Sequence, residues 1–246
     1  VRTPVGDIEK RLFLQLKIFK MAKKNTDDTI LDVQEVYGKT EAYVEKNQKT
    51  LTIIAGAIFV LFAGYFGFTR LYLFPKEKEA AEVIWKAEYY FEKDSLDLAL
   101  NGDGNHFGFM QIADEYSITK YGNLANYYIG VIHMKKGDYE TAIEYLKDGQ
   151  LDDEIAGSVA IGAIGDCYIE LKEYDKGLSY FKKAAANSKN QFTAPIYMKK
   201  AALVYEEKKD YKSALKLYSS IKKDYPNSNE AKTIEKYIAR AEAYVN

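Results

Sequence analysis

Two histidines, one cysteine and one short polar loop are the groups in this sequence whose residue types could do chemistry. A catalytic site needs several such groups to converge. His133 stands in YYIGVIHMKKGDYE, where small and large apolar residues recur at helical spacing, so it is expected to pack rather than to serve as a base or ligand. Cys167 stands beside Tyr168 in a similar stretch and reads as a small buried filler. A single cysteine builds neither an internal disulfide nor a cysteine-based zinc cluster. The run Asn101-Gly102-Asp103-Gly104-Asn105 begins like a calcium loop, but an EF-hand needs glycine where His106 stands and a bidentate acid where Ile112 stands. Asp152-Asp153-Glu154 reads as a solvated turn that places negative charge at a helix start. The sequence holds no Gly-Lys phosphate loop, Gly-x-Ser-x-Gly elbow or His-Glu-x-x-His helix. No catalytic residue, metal ligand or cofactor is assigned, and the reading is of a protein that is not an enzyme. A membrane-anchored hydrolase is its rival.

The elements that would position any site begin with an apolar run. Thr50 to Thr69 reads TLTIIAGAIFVLFAGYFGFT without a charge. At ~1.5 Å rise per residue it spans the ~30 Å hydrocarbon core of a bilayer. Lys49 and Arg70 bracket it, and Tyr65, Phe66, Phe68, Tyr72 and Phe74 crowd its far end, as amphipathic rings do at headgroup level. The run is longer than a signal-peptide core and no A-x-A-like site follows before Pro75, so it is expected to be an uncleaved transmembrane anchor. Lys39, Lys46 and Lys49 before it match Arg70, Lys76, Lys78 and Lys86 after it, so the Lys/Arg balance leaves orientation open. Residues 28–46 suggest a short amphipathic helix, and the first twenty residues suggest a non-native or disordered extension ahead of Met21. The expected organisation is 1–20 extension, 21–49 tail, 50–74 anchor and 75–246 folded domain. With 47% apolar and 29% charged residues, most of the chain is expected to fold. From Pro75 onward 24 Lys and Arg stand against 28 Asp and Glu, which argues against nucleic acid as a partner.

The domain repeats itself. Three segments align: YYIGVIHMKKGDYETAIEYLKDG from Tyr127, AIGDCYIELKEYDKGLSYFKKA from Ala163 and KKAALVYEEKKDYKSALKLYSSI from Lys199. In each, a small residue (Gly130, Gly165, Ala202) precedes a tyrosine by nine positions (Tyr139, Tyr174, Tyr211). A second small residue (Ala142, Gly177, Ala214) and then a large one (Leu146, Phe181, Tyr218) follow, at unit spacings of 35 and 37. This register resembles the tetratricopeptide repeat, in which small residues let two antiparallel helices approach and large ones fill the gap. Tyr168 and Tyr205 match that family's first-helix aromatic, His133 stands there in the first unit, and Pro226 matches the closing proline of the third.

The resemblance implies an all-α fold: a single transmembrane helix, then a tetratricopeptide α-solenoid of about four helix pairs and a capping helix. Lys76–Lys93 and Phe107–Tyr116 are expected as a divergent first pair joined by an elongated turn. The cap is expected after Pro226, started by Asn227 or Ser228. By family geometry a protein-binding groove is lined by Tyr127, Val131 and Met134, by Asp166 and Ile169, and by Lys199, Leu203 and Glu206. The Lys/Asn/Arg set that grips a C-terminal carboxylate is missing, so the groove should favour apolar or helical segments over small molecules. The layout of anchor, divergent pair and YGNLANYYIGVIHMKKGDYETAIEYLKDG also resembles the YfgM-like ancillary subunits of the bacterial SecYEG translocon. That resemblance implies an inner-membrane protein with a cytoplasmic N-terminus and a periplasmic repeat domain. Its expected partners are the translocon, secreted client polypeptides and periplasmic chaperones. A scaffold for cell-envelope assembly or division is the alternative.

Overall fold

The computed structural model describes residues 41, 43–187 and 189–245. The expectations for 1–20 and for most of the amphipathic stretch therefore lie outside the described residues. The chain divides into two compact units, Val1–Gly67 and Phe68–Asn246, so the boundary falls within the stretch expected as anchor.

In the first unit residues 43–67 form helix α1. Its large apolar side chains, from Ile53 through Phe62 to Phe66, are exposed on all sides. The helical run Tyr43–Glu92 holds the one stretch, among the described residues, long and apolar enough to cross a membrane, and none of that stretch is buried in protein. A solvent-facing helix in a soluble domain would instead show one apolar stripe.

The second unit opens with a widened π-turn, Phe68–Leu73, ahead of α2, Phe74–Glu92. Pro75 supplies the cause. A proline inside a helical run lacks its N–H and its ring crowds the carbonyl four residues back, here that of Leu71, and the wider turn relieves both. The following helices are α3 Leu96–Asn101, α4 Phe109–Glu115, α5 Lys120–Lys136, α6 Tyr139–Asp148, α7 Glu154–Glu170, α8 Tyr174–Asn187, α9 Thr193–Glu207, α10 Tyr211–Asp224 and α11 Glu235–Val245. No strand occurs among the described residues.

Each helix packs chiefly on its sequence neighbours, so the hydrophobic core is a row of four clusters rather than one centre. The small and large positions of the repeat meet as their spacing requires. A Cβ on Gly130 would lie 2.6 Å from Leu146 Cγ, and one on Gly165 would lie 2.7 Å from the Phe181 ring. Ala202 and Tyr218, both fully buried, share a cluster in the third unit. Gly177 receives Ile169 in the same way. Tyr139, Tyr174, Tyr205 and Tyr211 are half-buried at the hairpin seams, and Tyr168 is buried.

The first helix of each pair ends alike. A residue in the left-handed region (Asp94, Gly137, Lys172, Lys209) turns the chain. The next N–H then reaches back to a carbonyl one turn into the helix, as from Asp138 to His133 and from Asp210 to Tyr205. Asp138 and Asp210 next cap α6 and α10 by accepting the Thr141 and Ser213 N–H groups.

Two expectations need correction. The connection expected as an elongated turn contains α3, because Leu96, Ala99 and Leu100 all pack in the first cluster and their i, i+3, i+4 spacing puts them on one face of a helical turn. The polar loop that follows closes on Asp103, which accepts the Tyr90 hydroxyl (2.7 Å) and the N–H groups of Asn105 and His106. The terminal helix starts later than Pro226 suggested. Ser228, almost fully buried, accepts the N–H of Ala231, the first residue of a short 3₁₀ turn, Ala231–Thr233, after which α11 begins.

Candidate protein-binding surface

Helices α5, α7 and α9 are the first members of three successive hairpins, and the eight residues expected to line a groove lie on them. The structure sorts these eight into three sets.

Tyr127, Val131 and Met134 of α5 are half-buried against the cluster built by Ala142, Leu146, Ile164 and Cys167. They serve the contact between the first hairpin and the second. Burial pushes the Tyr127 phenol above its ordinary pKa.

Asp166, Ile169 and Leu203 converge on one cavity of about 420 Å³ between α7, α8 and α9, completed by Tyr174, Phe181, Lys200, Val204 and Glu207. Both Asp166 carboxylate oxygens lie 2.7 Å from Lys200 Nζ. The same ammonium stands over the rings of Phe181 (5.5 Å) and Tyr197 (5.7 Å). Tyr197 reaches this place because Gly162 has no side chain: a Cβ there would meet the tyrosine ring at 2.0 Å. Burial, with the Asp166 carboxylate nearby, pushes the Tyr197 phenol up to about 12. Leu203 is 39% exposed. The cavity thus has aliphatic and aromatic walls, an internally neutralised ion pair and an acid, Glu207, in its lining. Such a site can take up an apolar side chain.

Lys199 and Glu206 form the third set, and the last helix holds both. Lys199 Nζ stands 4.7 Å from the Tyr237 ring centre, and Glu206 accepts from Arg240 Nε at 3.2 Å and pairs also with its terminal nitrogen. Lys200 escaped the sequence reading. The signal for it was present, since Asp166 and Lys200 lie 34 residues apart, about one repeat, and so fall on adjacent first helices.

The groups considered for chemistry sit in structural roles. His133 stacks on Tyr145 (5.8 Å, 7°), and its Nδ1 lies 3.0 Å from the Asp138 cap. His106 Nδ1 lies 3.0 Å from Asp103. Burial, helped by Asp166 and Glu170, pushes the Cys167 thiol up to about 12. Asp153 caps α7 by accepting the Ile155 and Ala156 N–H groups.

With this geometry in place, comparison with known proteins agrees on the class. The tetratricopeptide-repeat family profiles match residues 124–149, 160–191 and 200–228. These ranges fall on the hairpins α5–α6, α7–α8 and α9–α10, so each of the three regular hairpins matches the repeat profile. Tetratricopeptide repeat protein 29 of Macaca fascicularis is 28% identical over 112 residues, which cover 42% of this chain and 24% of that protein. The chain therefore spans about a quarter of the curated relative it matches. Among solved structures, a putative kinesin light chain of Podosopora anserina with nearly identical TPR-like repeats superposes with a TM-score of 0.51 at 12% identity, over 69% of this chain and 87% of that one. A second structure of that protein also gives 0.51 at 12% identity, over 69% and 88%. These likenesses concern the fold alone. A stack of such repeats presents an extended concave surface.

Proposed function

We propose that this protein is a membrane-anchored adaptor that captures apolar segments of other polypeptides, and that it works as an ancillary, chaperone-like subunit of the Sec protein-translocation machinery. The observation that carries the binding part is the α7–α9 cavity, in which Ile169, Phe181, Leu203 and Val204 offer apolar surface beside an ion pair already satisfied within the protein. Its lysine is taken by Asp166, so a terminal carboxylate finds no ready cation, while a Leu, Met or Phe side chain finds a wall on three helices. That preference suits segments still unfolded on leaving a membrane channel. The anchoring part is supported by the apolar all-round character of α1. The chain would then lie in a bacterial inner membrane with its N-terminus cytoplasmic and its repeats periplasmic.

A photo-crosslinking residue at Leu203, compared with one at exposed Ser179 on α8, tests this in intact membranes. Channel subunits and nascent secreted chains are expected as adducts at position 203 and not at 179. Equal yields of channel or nascent-chain adducts at both positions, or adducts at 203 that contain neither, would overturn the reading. Protease digestion of right-side-out and inside-out vesicles checks the topology, with the repeats expected to be cut only in the former.

A further inference from the structure

The outward stripes of α6, α8 and α10 carry a graded charge that nothing in the binding cavity explains. Tyr139, Tyr174 and Tyr211 open these three second helices and set their common register. One position on from each stand Glu140, Asp175 and Lys212, and five positions on stand Glu144, Ser179 and Lys216, all exposed. Equivalent places thus run from two acids on α6, through an acid and a serine on α8, to two lysines on α10. Asp175 is answered by Lys208. Among the described residues Glu140, Glu144, Lys212 and Lys216 enter no ion pair. Two acids one turn apart, and likewise two lysines, repel weakly, and opposite charge brought alongside relieves both.

We propose that this face docks on the same face of a second copy of the chain, with the two-fold axis running along α8. Two faces can meet with the axis in their common plane either along the helices or across them. An axis across the helices sets α6 on α6 and α10 on α10, which places like charges together. An axis along α8 sets α6 of each copy on α10 of the other, so that Glu140 and Glu144 meet Lys212 and Lys216 twice over, while α8 meets α8 at the centre, where the Asp175 of each copy is already neutralised by its own Lys208. The interface is then isologous and closed, as most homodimers are. An anionic lipid surface would satisfy α10 but repel α6 on the same face, whereas a second copy answers both.

The full chain, purified in a non-ionic detergent, is followed by sedimentation velocity. A dimer is expected at about 0.02 M salt, with its dissociation constant rising about tenfold or more by about 0.5 M salt. Lys212→Glu with Lys216→Glu, and separately Glu140→Lys with Glu144→Lys, should each weaken self-association about tenfold or more, since each turns attraction into repulsion. Mixed one to one, the two variants should recover association as a heterodimer, read by energy transfer between two labels. The neutral pair Lys212→Gln with Lys216→Gln should fall between wild type and the reversed variants. Circular dichroism is expected to stay native throughout, because all these side chains are exposed. A monomeric wild type at low salt, a dimer indifferent to charge reversal, or reversed variants that fail to pair would each overturn the proposal. So would lysine-dependent binding to phosphatidylglycerol vesicles without self-association.

Discussion

The seam between α7 and α9 and the seam between α9 and α11 use the same materials differently. In each, an acid on one helix meets a base on the next 34 residues later, Asp166 with Lys200 and Glu206 with Arg240. In each, a tyrosine lies under the base, Tyr197 or Tyr237. The positions are exchanged, however. Asp166 directly follows the small residue Gly165 and Ile169 comes three later; Leu203 directly follows Ala202 and Glu206 comes three later. The first seam is therefore polar where the second is apolar, and the reverse. In the second seam α11 covers Glu206 down to 12% side-chain exposure, and Tyr218 is fully buried in the cluster beneath. In the first, Phe181 and the flanking aliphatic side chains leave a cavity. One seam is a finished joint and the other an open site, and the register of a single acid separates them.

The largest test of this contrast is Gly165→Leu. The glycine lets Phe181 lie against α7, and a Cβ already meets that ring at 2.7 Å, so the longer side chain must force the hairpin apart. A loss of about 3 kcal/mol is expected in chemical denaturation. A variant as stable as wild type would mean that α7 and α8 do not nest at that residue. Next in size is Arg240→Ala at the finished joint, which leaves Glu206 covered and unpaired and should cost about 2 kcal/mol. Lys200→Ala breaks the corresponding pair at the open seam, where both side chains are more than a third exposed, and should cost less than about 1 kcal/mol. Equal losses from these two substitutions would erase the distinction between the seams.

The regular hairpins were legible in the sequence because they obey one rule three times. The spacing of Gly130, Gly165 and Ala202 to Leu146, Phe181 and Tyr218 is sixteen residues in every case, and the structure joins each pair. The first pair obeys no such rule. Its core is an aromatic stack of Phe91, Phe109 and Tyr128 with ring centres 4.6 to 6.5 Å apart, and Tyr128 comes from the following hairpin. Only the fold brings those rings together, and α3, a helix of six residues, is too short to show a repeating apolar pattern. The same limit applies to the candidate site. Asp166, Ile169 and Leu203 were readable from the helix face they share, but which neighbour would claim Lys199 and Glu206 depended on where α11 comes to rest.

An effect of similar size concerns how each first helix ends. Gly137, Lys172 and Lys209 hold equivalent places in the left-handed region, at φ of 78°, 61° and 61°. Only glycine does so without its Cβ crowding the backbone. Lys209→Gly should therefore stabilise the domain by about 0.5–1 kcal/mol, and Gly137→Ala should destabilise it by about 1 kcal/mol, both read from thermal unfolding.

The smallest expected effect is set by pH and acts one residue further on. Asp138 accepts hydrogen bonds from Thr141 and lies beside His133, and these hold its carboxyl below the ordinary aspartate value. Asp210 is held down likewise, chiefly by Ser213. A carboxyl whose pKa is lowered on folding contributes stability that is fully present above its unfolded value, near pH 4, and that disappears as pH falls through the folded value. Wild-type stability should thus decline below about pH 4, and Asp138→Asn with Asp210→Asn should flatten that decline while leaving the curve above it parallel. Asparagine keeps the cap acceptor and removes only the titration. If the double variant declined as steeply as wild type, the acid sensitivity would belong to other carboxylates, with Asp103 and its Tyr90 partner in the first pair as the next place to look.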